Sequence, residues 1–324
     1  LNRVRRRLVE ELKEEPVVKD GKAALARFLP KRGEAEDSLP ELRVLCRSFD
    51  QVHGCVRAGV TFIYCDFEDL KEYREAVEVA RAAGMKVFLA TPRIQKPMEA
   101  GFFKMVEKAE PDGVLVRNLG GISYFKERGV PMVADFSLNV ANQVSAGLLM
   151  KHGGFENLTV SYDLNEGQVG ELIESAPPEW FELTVHQHMP MFHMEHCVFC
   201  TFMSDGTSIK DCGKPCDKHN VQLRDRVGQL HILKADVGCR NTIFNGRAQT
   251  GAGSVDELIT LGLRKFRVEL LEEDAKQAAR LVTWYRDFLG GKGEAQDLVR
   301  KLGAIERLGV TKGTLEQKRS EVHL

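Results

Sequence analysis

Short apolar runs alternate with longer segments of helical periodicity through most of the chain. Eight runs have the length and composition of strands buried on both faces: Leu42–Leu45, Phe62–Cys65, Lys86–Ala90, Gly113–Val116, Pro131–Phe136, Leu158–Tyr162, Phe181–Val185 and Phe266–Leu270. Helical patterns lie between most of them, as in Leu70–Ala83, Glu99–Ala109, Gln143–Lys151 and Gln168–Ser175. This alternation predicts βαβ units and a parallel sheet.

Eight such strands favour a closed barrel over an open doubly wound sheet. No Gly-x-Gly-x-x-Gly motif follows the first run, which removes the main signal for a dinucleotide-binding fold. The regular spacing breaks once, between residues 185 and 266, and this interval is rich in cysteine. The sequence therefore predicts an α/β fold, a (β/α)8 TIM-like barrel with a Cys-rich insertion after strand 7 and flanking helices.

The same pattern divides the chain into three regions. Residues 1–38 combine a charged amphipathic helix over Leu1–Glu15 with a polar linker, and we expect them to be the end of an upstream region. Residues 39–290 form the predicted barrel, with a cysteine-rich loop at residues 192–245. Residues 291–324 are charged and helical in pattern, which predicts a C-terminal tail in solvent.

The composition narrows the classes of partner. Lys and Arg number 46 against 47 Asp and Glu, for a net charge of −1, so no global field attracts nucleic acid. A local basic patch remains compatible with RNA binding. No apolar run reaches the roughly 18 residues that a membrane span needs. Reduced thiols and the lack of a hydrophobic leader predict a cytoplasmic protein.

Five of the eight cysteines lie in the insertion, in a C-x2-C pair, a C-x3-C pair and one later position. They are Cys197, Cys200, Cys212, Cys216 and Cys239. This is metal-ligand spacing, because short loops let two thiolates converge on one centre. Thiolates select zinc or an iron–sulfur cluster, and the spacing alone leaves both open. Cys46, Cys55 and Cys65 lie in apolar segments and are predicted to be core residues.

Polar side chains are concentrated at the end of the seventh predicted strand. His186 and His188 share a face with Glu182 and Thr184 at the strand period of two. That face points either into the barrel lumen or into the helix layer, and we predict a catalytic site in the lumen for both histidines. Glu195 is a candidate proton-transfer group, with a carboxylate bonded to backbone N–H as the alternative.

The stretch from His186 to Cys197 resembles the collagenase-like (U32) peptidase family, as do Cys212-Gly213-Lys214-Pro215-Cys216 and the block from Ala235 to Thr242. The resemblance spans roughly residues 40 to 290 and is greatest to the long, multi-domain members. It implies a barrel with an oxygen-sensitive [4Fe-4S] cluster held by four cysteines, and hence dependence on the iron–sulfur assembly machinery. It also implies oxygen-independent hydroxylation of RNA bases or of a quinone precursor, with prephenate as hydroxyl donor in the RNA branch.

The ligand set departs from the commoner members of that family, which space the first two cysteines more widely. Five cysteines therefore compete for four positions. The resemblance matches Cys197, Cys200 and Cys212 to ligands, and it favours Cys239 over Cys216 as the fourth. It also favours a cluster over zinc.

Several polar residues are predicted to bind substrate. Arg93, Arg117 and Asn118 follow strands whose ends would meet in the barrel mouth, and Arg240 and Asn241 follow the last cysteine. Arginine suits a dicarboxylate such as prephenate because its planar fork binds carboxylates through two hydrogen bonds. Other strand ends supply further polar groups to the same mouth, namely Arg47, Asp66, Asp135 and Asn139.

Together with the cysteine pattern, the resemblance implies an iron–sulfur-dependent, oxygen-independent hydroxylase of rRNA or tRNA that uses prephenate. The alternatives are a U32-type peptidase and a non-catalytic module with a structural metal site. A thiol peptidase would need a metal-free Cys–His pair with a lowered cysteine pKa. A structural module would have a closed four-Cys shell and no open pocket. The sequence contains neither a G-x-S-x-G elbow nor an H-E-x-x-H helix.

Overall fold

A computed structural model describes residues 2–11, 25–26, 28–33, 37–306 and 308–316. The predicted N-terminal helix is confirmed as α1 (Asn2–Glu11), whereas residues 12–15 lie outside the described residues. None of the described helices is both long and apolar enough to cross a membrane. The remaining strands and helices lie between residues 41 and 311.

Eight parallel strands close into a barrel, as predicted. They are β1 (Glu41–Cys46), β2 (Phe62–Cys65), β3 (Lys86–Ala90), β4 (Gly113–Val116), β5 (Met132–Ala134), β6 (Asn157–Thr159), β7 (Phe181–Met194) and, after the insertion, β11 (Lys265–Glu269). Strand β11 pairs with β1 on one side and with β7 on the other, which closes the barrel. All residues of β2, β4, β5 and β6 are buried, as expected for parallel strands covered on both faces.

Helices connect and cover the strands. They are α2 (Phe49–Ala58), α3 (Tyr73–Ala82), α4 (Ala100–Lys108), α5 (Leu119–Lys126), α6 (Gln143–Gly153), α7 (Glu166–Ser175), α8 (Val198–Met203), α9 (Val255–Thr260), α10 (Ala275–Leu289) and α11 (Ala295–Ile305). Capping residues set several helix starts: Ser48 accepts from Gln51 N, and Asn165 forms a reciprocal capping box with Gln168.

Two apolar layers form the core of the barrel. Leu45 belongs to a cluster inside the lumen, whereas its neighbours Val44 and Cys46 pack outward against the helices. Cys46, Cys55 and Cys65 are all buried and free, which confirms them as core residues. The Sγ atoms of Cys46 and Cys55 lie 3.5 Å apart.

The interval between β7 and β11 builds an antiparallel extension of the barrel wall. It contains β8 (Val221–Arg224), β9 (Leu230–Asp236) and β10 (Arg240–Thr250), which pair in the order β7-β10-β9-β8. Strand β7 is longer than predicted because its outer half, beyond the barrel, pairs with β10 as far as Met194.

The region after residue 290 differs from the predicted solvent tail. Leu298 and Leu302 of α11 are buried, and a short strand β12 (Val310–Thr311) pairs with Ala248 and Gln249 of β10. The predicted helix is confirmed as α11, but its predicted exposure to solvent is wrong, because apolar positions at helical spacing pack α11 onto the barrel. Residues 317–324 lie outside the described residues.

Candidate active site and metal centre

A ring of alternating charges lies in the lumen at the carboxyl ends of the strands. Its six members are Arg47, Asp66, Arg117, Asp135, Glu269 and Arg267. Asp66 accepts from Arg117 at 2.6 Å and lies 3.5 Å from Arg47. Asp135 lies 2.9 Å from Arg117 and 2.8 Å from Arg267. Because neighbouring members share their partners, each residue of this ring has two ion-pair partners within it.

Glu269 closes the ring, 3.0 Å from Arg47 and 3.4 Å from Arg267. Deeper in the lumen, Glu182 accepts from Arg267 Nε at 2.6 Å and from Arg43 Nη1 at 3.0 Å. Burial alone would raise the pKa of Glu182, but Arg267 and Arg43 lower it. With these two additions, four arginines face four carboxylates, so the lumen charges balance.

A cavity of about 360 Å³ opens beside this ring at the mouth of the barrel. Its walls include Arg47, Asp66, Glu68, Phe199 and Cys216. A smaller adjoining recess of about 30 Å³ shares the first three and is also lined by the residues Arg93, Asp236 and Thr242. The strand ends of the barrel and the cysteine-bearing insertion thus border the same space.

Arg93 is the cation of this mouth that lacks a carboxylate partner. Its guanidinium carbon lies 5.2 Å from the centre of the Phe136 ring, and Phe136 stacks on Tyr162 at 3.9 Å. Its Nε is buried without a hydrogen-bond partner, and the ion pairs among the described residues do not include it. Burial and the neighbouring Arg117 lower the pKa of Arg93. The recess therefore holds one guanidinium without a direct ion pair, beside the carboxylates of Asp66, Glu68 and Asp236.

Four of the five clustered cysteines are electrostatic neighbours. Burial raises the pKa of Cys239, and Cys197, Cys212 and Cys200 raise it further. Burial also raises the pKa of Cys200, with added effects of Cys212 and Cys197. By contrast, the pKa of Cys216 rises to about 12 through burial and the carboxylates of Glu68 and Asp217. Glu68 also raises the pKa of Cys239, and Cys216 packs with Cys197 against the same apolar cluster, so Cys216 borders the group of four.

The four thiols fit a [4Fe-4S] cluster by ligand type, because four cysteine thiolates are its usual ligands. A structural zinc ion takes the same four ligands. Cys200 and Cys212 lie within side-chain hydrogen-bonding distance of each other.

The loops around this centre hold the cysteines in place. Cys197 begins α8, and its Sγ accepts from Cys200 N at 3.4 Å. Asn241 Oδ1 accepts from Val198 N at 2.6 Å, and its Nδ2 lies 4.0 Å from the Cys197 sulfur. Cys239 itself has a left-handed backbone, with φ of 61°, a strained conformation for a residue with a Cβ. Such strain is typical of functional sites.

The family model described as peptidase family U32 matches residues 54–323. The chain belongs to this family. A search of curated proteins found no match.

Solved structures resemble the U32 barrel only in part. The YdjI aldolase of Escherichia coli K12 is 10% identical, with 78% of this chain and 92% of that chain covered and a TM-score of 0.42. The 4-hydroxy-tetrahydrodipicolinate synthase of Methylacidiphilum fumariolicum SolV is 13% identical, with 82% and 79% covered and a TM-score of 0.43. Values this low carry no inference about the activity of the U32 chain.

Three predicted substrate residues of the U32 chain have other partners. Arg117 is 3% exposed and belongs to the ion-pair ring, so it is not free to bind a substrate. Asn118 begins α5, where its Oδ1 accepts from Gly121 N at 2.9 Å and its Nδ2 donates to the Pro92 carbonyl. Asn241 is fully buried and positions Cys197. Of the three strand-end residues predicted to bind substrate, Arg93 lines the recess and has no such partner.

The structure also contradicts the predicted roles of Arg240 and Glu195. Arg240 is 1% exposed and donates to Glu195 at 2.7 Å and to Glu99 at 2.8 and 2.9 Å. Lys96 donates to the second oxygen of Glu195. Hydrogen bonds from Arg240 and Lys96 lower the pKa of Glu195, so it stays an ionised carboxylate rather than a proton donor. Arg240 is buried by its partners and unavailable to substrate.

His186 and His188 do not face the lumen, because a bulge intervenes. Thr184 pairs with Arg267 and His186 with the next residue of β11, Val268, so Val185 is an extra residue in β7. One extra residue inverts the side of the strand on which later side chains lie. His186 accordingly contacts Tyr285 of α10 at 3.2 Å, and His188 contacts the Asn245 carbonyl at 2.7 Å. The prediction of a lumen site is wrong for both.

Two mouth residues of the U32 chain escaped the sequence analysis. Glu68 follows β2 by three positions and lines both cavities, and Asp236 ends β9 and lines the recess. Partial desolvation and Asp217 raise the pKa of Glu68 to about 7, although the residue remains exposed to the cavity. Asp66 was predicted from its place at the end of a strand, and Glu68 lies two residues later. The same argument would have identified Glu68 if it had been applied beyond the first polar residue after the strand.

Proposed function

We propose that this U32 chain is an iron–sulfur enzyme of oxygen-independent hydroxylation, which takes oxygen from a dicarboxylate donor such as prephenate and acts on RNA. The observation that carries the proposal is a mouth cavity lined by Glu68, whose charge acts on Cys239 of the thiol group, next to a recess lined by Arg93. Glu68 links the two parts, because it lines the cavity and its charge contributes to the raised pKa of Cys239.

Arg93 would bind and orient the donor. The Arg93 guanidinium has no carboxylate partner among the described residues. It can therefore donate two hydrogen bonds to a carboxylate of the dicarboxylate without breaking an existing ion pair. Its cation–π contact with Phe136, 5.2 Å from the ring centre, restrains the guanidinium before the donor arrives. The donor carboxylate would thereby be fixed at the mouth of the barrel.

Glu68 would hold or release a proton beside the donor. A pKa of about 7 lets the carboxyl exchange its proton near neutral pH, as a general acid or base requires. The neighbouring thiol of Cys216 has a pKa near 12 and keeps its proton. Glu68 is therefore the titrating group of this wall.

Cys197, Cys200, Cys212 and Cys239 would hold the [4Fe-4S] cluster. When bound, the cluster would supply the electron-transfer chemistry that lets hydroxylation proceed without molecular oxygen. Its presence makes the iron–sulfur assembly machinery a partner of the chain. The RNA base would have to leave its stack to reach a cavity of this depth.

The two alternatives have less support. A nucleophilic cysteine needs a lowered pKa, whereas the pKa values of Cys200, Cys216 and Cys239 are all raised. His196, next to Cys197 in sequence, has its Nε2 2.8 Å from the Thr201 hydroxyl. A purely structural metal module would not need an open, charged cavity beside its metal centre.

Anaerobic purification followed by iron, sulfide and zinc analysis tests the proposal. We expect about four irons and four sulfides per chain, lost on exposure to air. Binding of prephenate to the anaerobic protein, followed by mass spectrometry of incubated RNA, then tests the donor and the substrate. One zinc without sulfide would overturn the cluster and leave the structural module. Absence of any metal after reconstitution would revive the peptidase.

A further inference from the structure

A second group of potential ligands lies outside the barrel, behind the bulge of β7. His186 is fully buried, and its Nε2 has no hydrogen-bond partner in the described chain. One ring nitrogen of His186 and one carboxylate oxygen each of Glu273 and Glu306 all lie within 4.8 Å of one another. His188 Nε2 approaches the same place, 3.8 Å from Glu306 Oε2. None of these residues takes part in the cysteine centre.

The hydrogen bond on the far side of His188 fixes its tautomer. His188 Nδ1 lies 2.7 Å from the Asn245 carbonyl, which can only accept, so Nδ1 carries the proton of the neutral ring. His186 Nδ1 lies 3.2 Å from the Tyr285 hydroxyl, which can accept from it and pass its own proton to Thr250 or to the Val185 carbonyl. In that arrangement both Nε2 atoms present lone pairs to the carboxylates. Such lone pairs and carboxylate oxygens repel one another unless a cation, either a proton or a metal ion, lies between them.

No basic side chain supplies that cation. Among the described residues, neither Glu273 nor Glu306 forms an ion pair with a lysine or arginine. Backbone N–H groups of Leu271 and Glu272 bind Glu273 Oε2 at 2.7 and 3.1 Å, which holds this carboxylate in place. Burial raises the pKa of Glu306, and Glu273 raises it further against the opposite effect of His188. The pair of carboxylates is thus under mutual repulsion.

We propose that His186 Nε2, Glu273 and Glu306 bind one divalent first-row transition-metal ion, with His188 Nε2 as a fourth ligand. Imidazole and carboxylate donors suit zinc, ferrous iron or manganese, and they bind at about 2.0 to 2.2 Å. Donors on opposite sides of such an ion lie about 4.4 Å apart, so a small movement of the two glutamate side chains closes the shell. Tyr285 and the Asn245 carbonyl orient the two imidazoles, as partners of metal-bound histidines do.

The ion would join three segments that are distant in sequence. His186 and His188 lie on β7, Glu273 precedes α10, and Glu306 follows α11. Glu273 also lines the mouth cavity, which gives the ion a route from solvent. A bound ion would therefore fasten the C-terminal helix to the barrel wall, and this role is independent of the proposed hydroxylation.

Cobalt binding to the anaerobically purified full-length chain tests this site. Cobalt ligated by nitrogen and oxygen shows visible d–d bands, whereas thiolate ligation adds intense near-ultraviolet charge-transfer bands. We expect the wild-type chain to bind one Co²⁺ without new thiolate bands and to rise in Tm. Glu306→Gln should weaken binding at least about tenfold, by loss of a ligand. Glu294→Gln, an exposed position at the opposite end of α11, is the matched control and should bind as wild type.

His188→Gln serves as a second variant should Glu306→Gln fail to fold, and it should weaken cobalt binding with the same spectral type. Equal cobalt affinity in wild type and both variants would overturn the proposal. So would cobalt bands of thiolate type alone, or no cobalt binding and no change in Tm.

Discussion

Arg117 donates a hydrogen bond from each of its two terminal guanidinium nitrogens to a different carboxylate oxygen of Asp66, at 2.6 and 2.7 Å. This bidentate pair joins the carboxyl ends of β4 and β2 across the lumen, and Asp135 holds the remaining Nε of Arg117 at 2.9 Å. All three guanidinium nitrogens are therefore used within the barrel. An arginine at a strand end could bind a substrate carboxylate. Arg117 instead binds two carboxylates of the barrel and so stabilises the fold.

Removal of one partner from this ring should be costly. Arg117→Leu leaves the Asp66 carboxylate without its main cation and leaves Asp135 paired with Arg267 alone, and we expect a loss of about 3 to 5 kcal/mol in the free energy of unfolding. Denaturant unfolding of the anaerobic protein measures it. Arg300→Leu removes an exposed pair with Asp297 and should cost less than about 1 kcal/mol. Equal losses in the two variants would show that the ring contributes no more than a surface pair.

The same ring predicts an acid-sensitive fold. Burial alone would raise the pKa of Asp66, but the ion pair with Arg117 lowers it below the ordinary 3.8, and Asp135 is lowered likewise by Arg267 and Arg117. Depressed carboxyl pKa values contribute stability that is present above the unfolded pKa and lost as pH falls through the folded one. We expect the free energy of unfolding to fall steeply below about pH 4. Asp66→Asn should flatten this decrease, and an unchanged slope would contradict the assignment.

The barrel was predictable because its signal is local. Runs such as Gly113–Val116 are short, wholly apolar and bounded by helical patterns, and each became a strand of the barrel. The strand-end rule also placed Arg47, Asp66 and Arg93 at the mouth. Which of them would be paired was not predictable, because ion pairing depends on distances between strands that are far apart in sequence.

The errors at His186 and His188 have a specific physical origin. Period-two parity holds only while a strand stays regular, and the extra residue Val185 inverted it within one position. No residue type in Thr184-Val185-His186 marks a bulge. The pairing that produces it comes from β11, about eighty positions later. The position of Glu306 near these histidines was not predicted either. Here the reason is that the segment after residue 290 resembles a charged surface helix.

The choice between Cys239 and Cys216 can be tested directly. Cys239 neighbours the other three grouped thiols, whereas Cys216 neighbours Glu68 and Asp217. We therefore expect Cys239→Ser to lose most cluster iron and sulfide, and Cys216→Ser to keep both near wild-type levels. Anaerobic metal analysis and the visible absorption spectrum measure the difference. The reverse pattern would make Cys216 the fourth ligand and would require the loop after Gly213 to rearrange.

Arg93→Gln should separate donor binding from stability. The variant keeps a planar polar group over Phe136 but removes the charge that faces the recess, and a charged hydrogen bond is worth about 1.5 to 3 kcal/mol. We expect prephenate to bind about 10 to 100 times more weakly, with cluster content unchanged. Because Arg93 has no carboxylate partner among the described residues, its loss should not lower Tm. Arg128→Gln is a matched control, since Arg128 also stacks on an aromatic ring, Tyr124, but on an exposed surface. Equal prephenate affinity in the two variants would remove Arg93 from the donor site and leave the paired Arg47 as the cation of the mouth cavity.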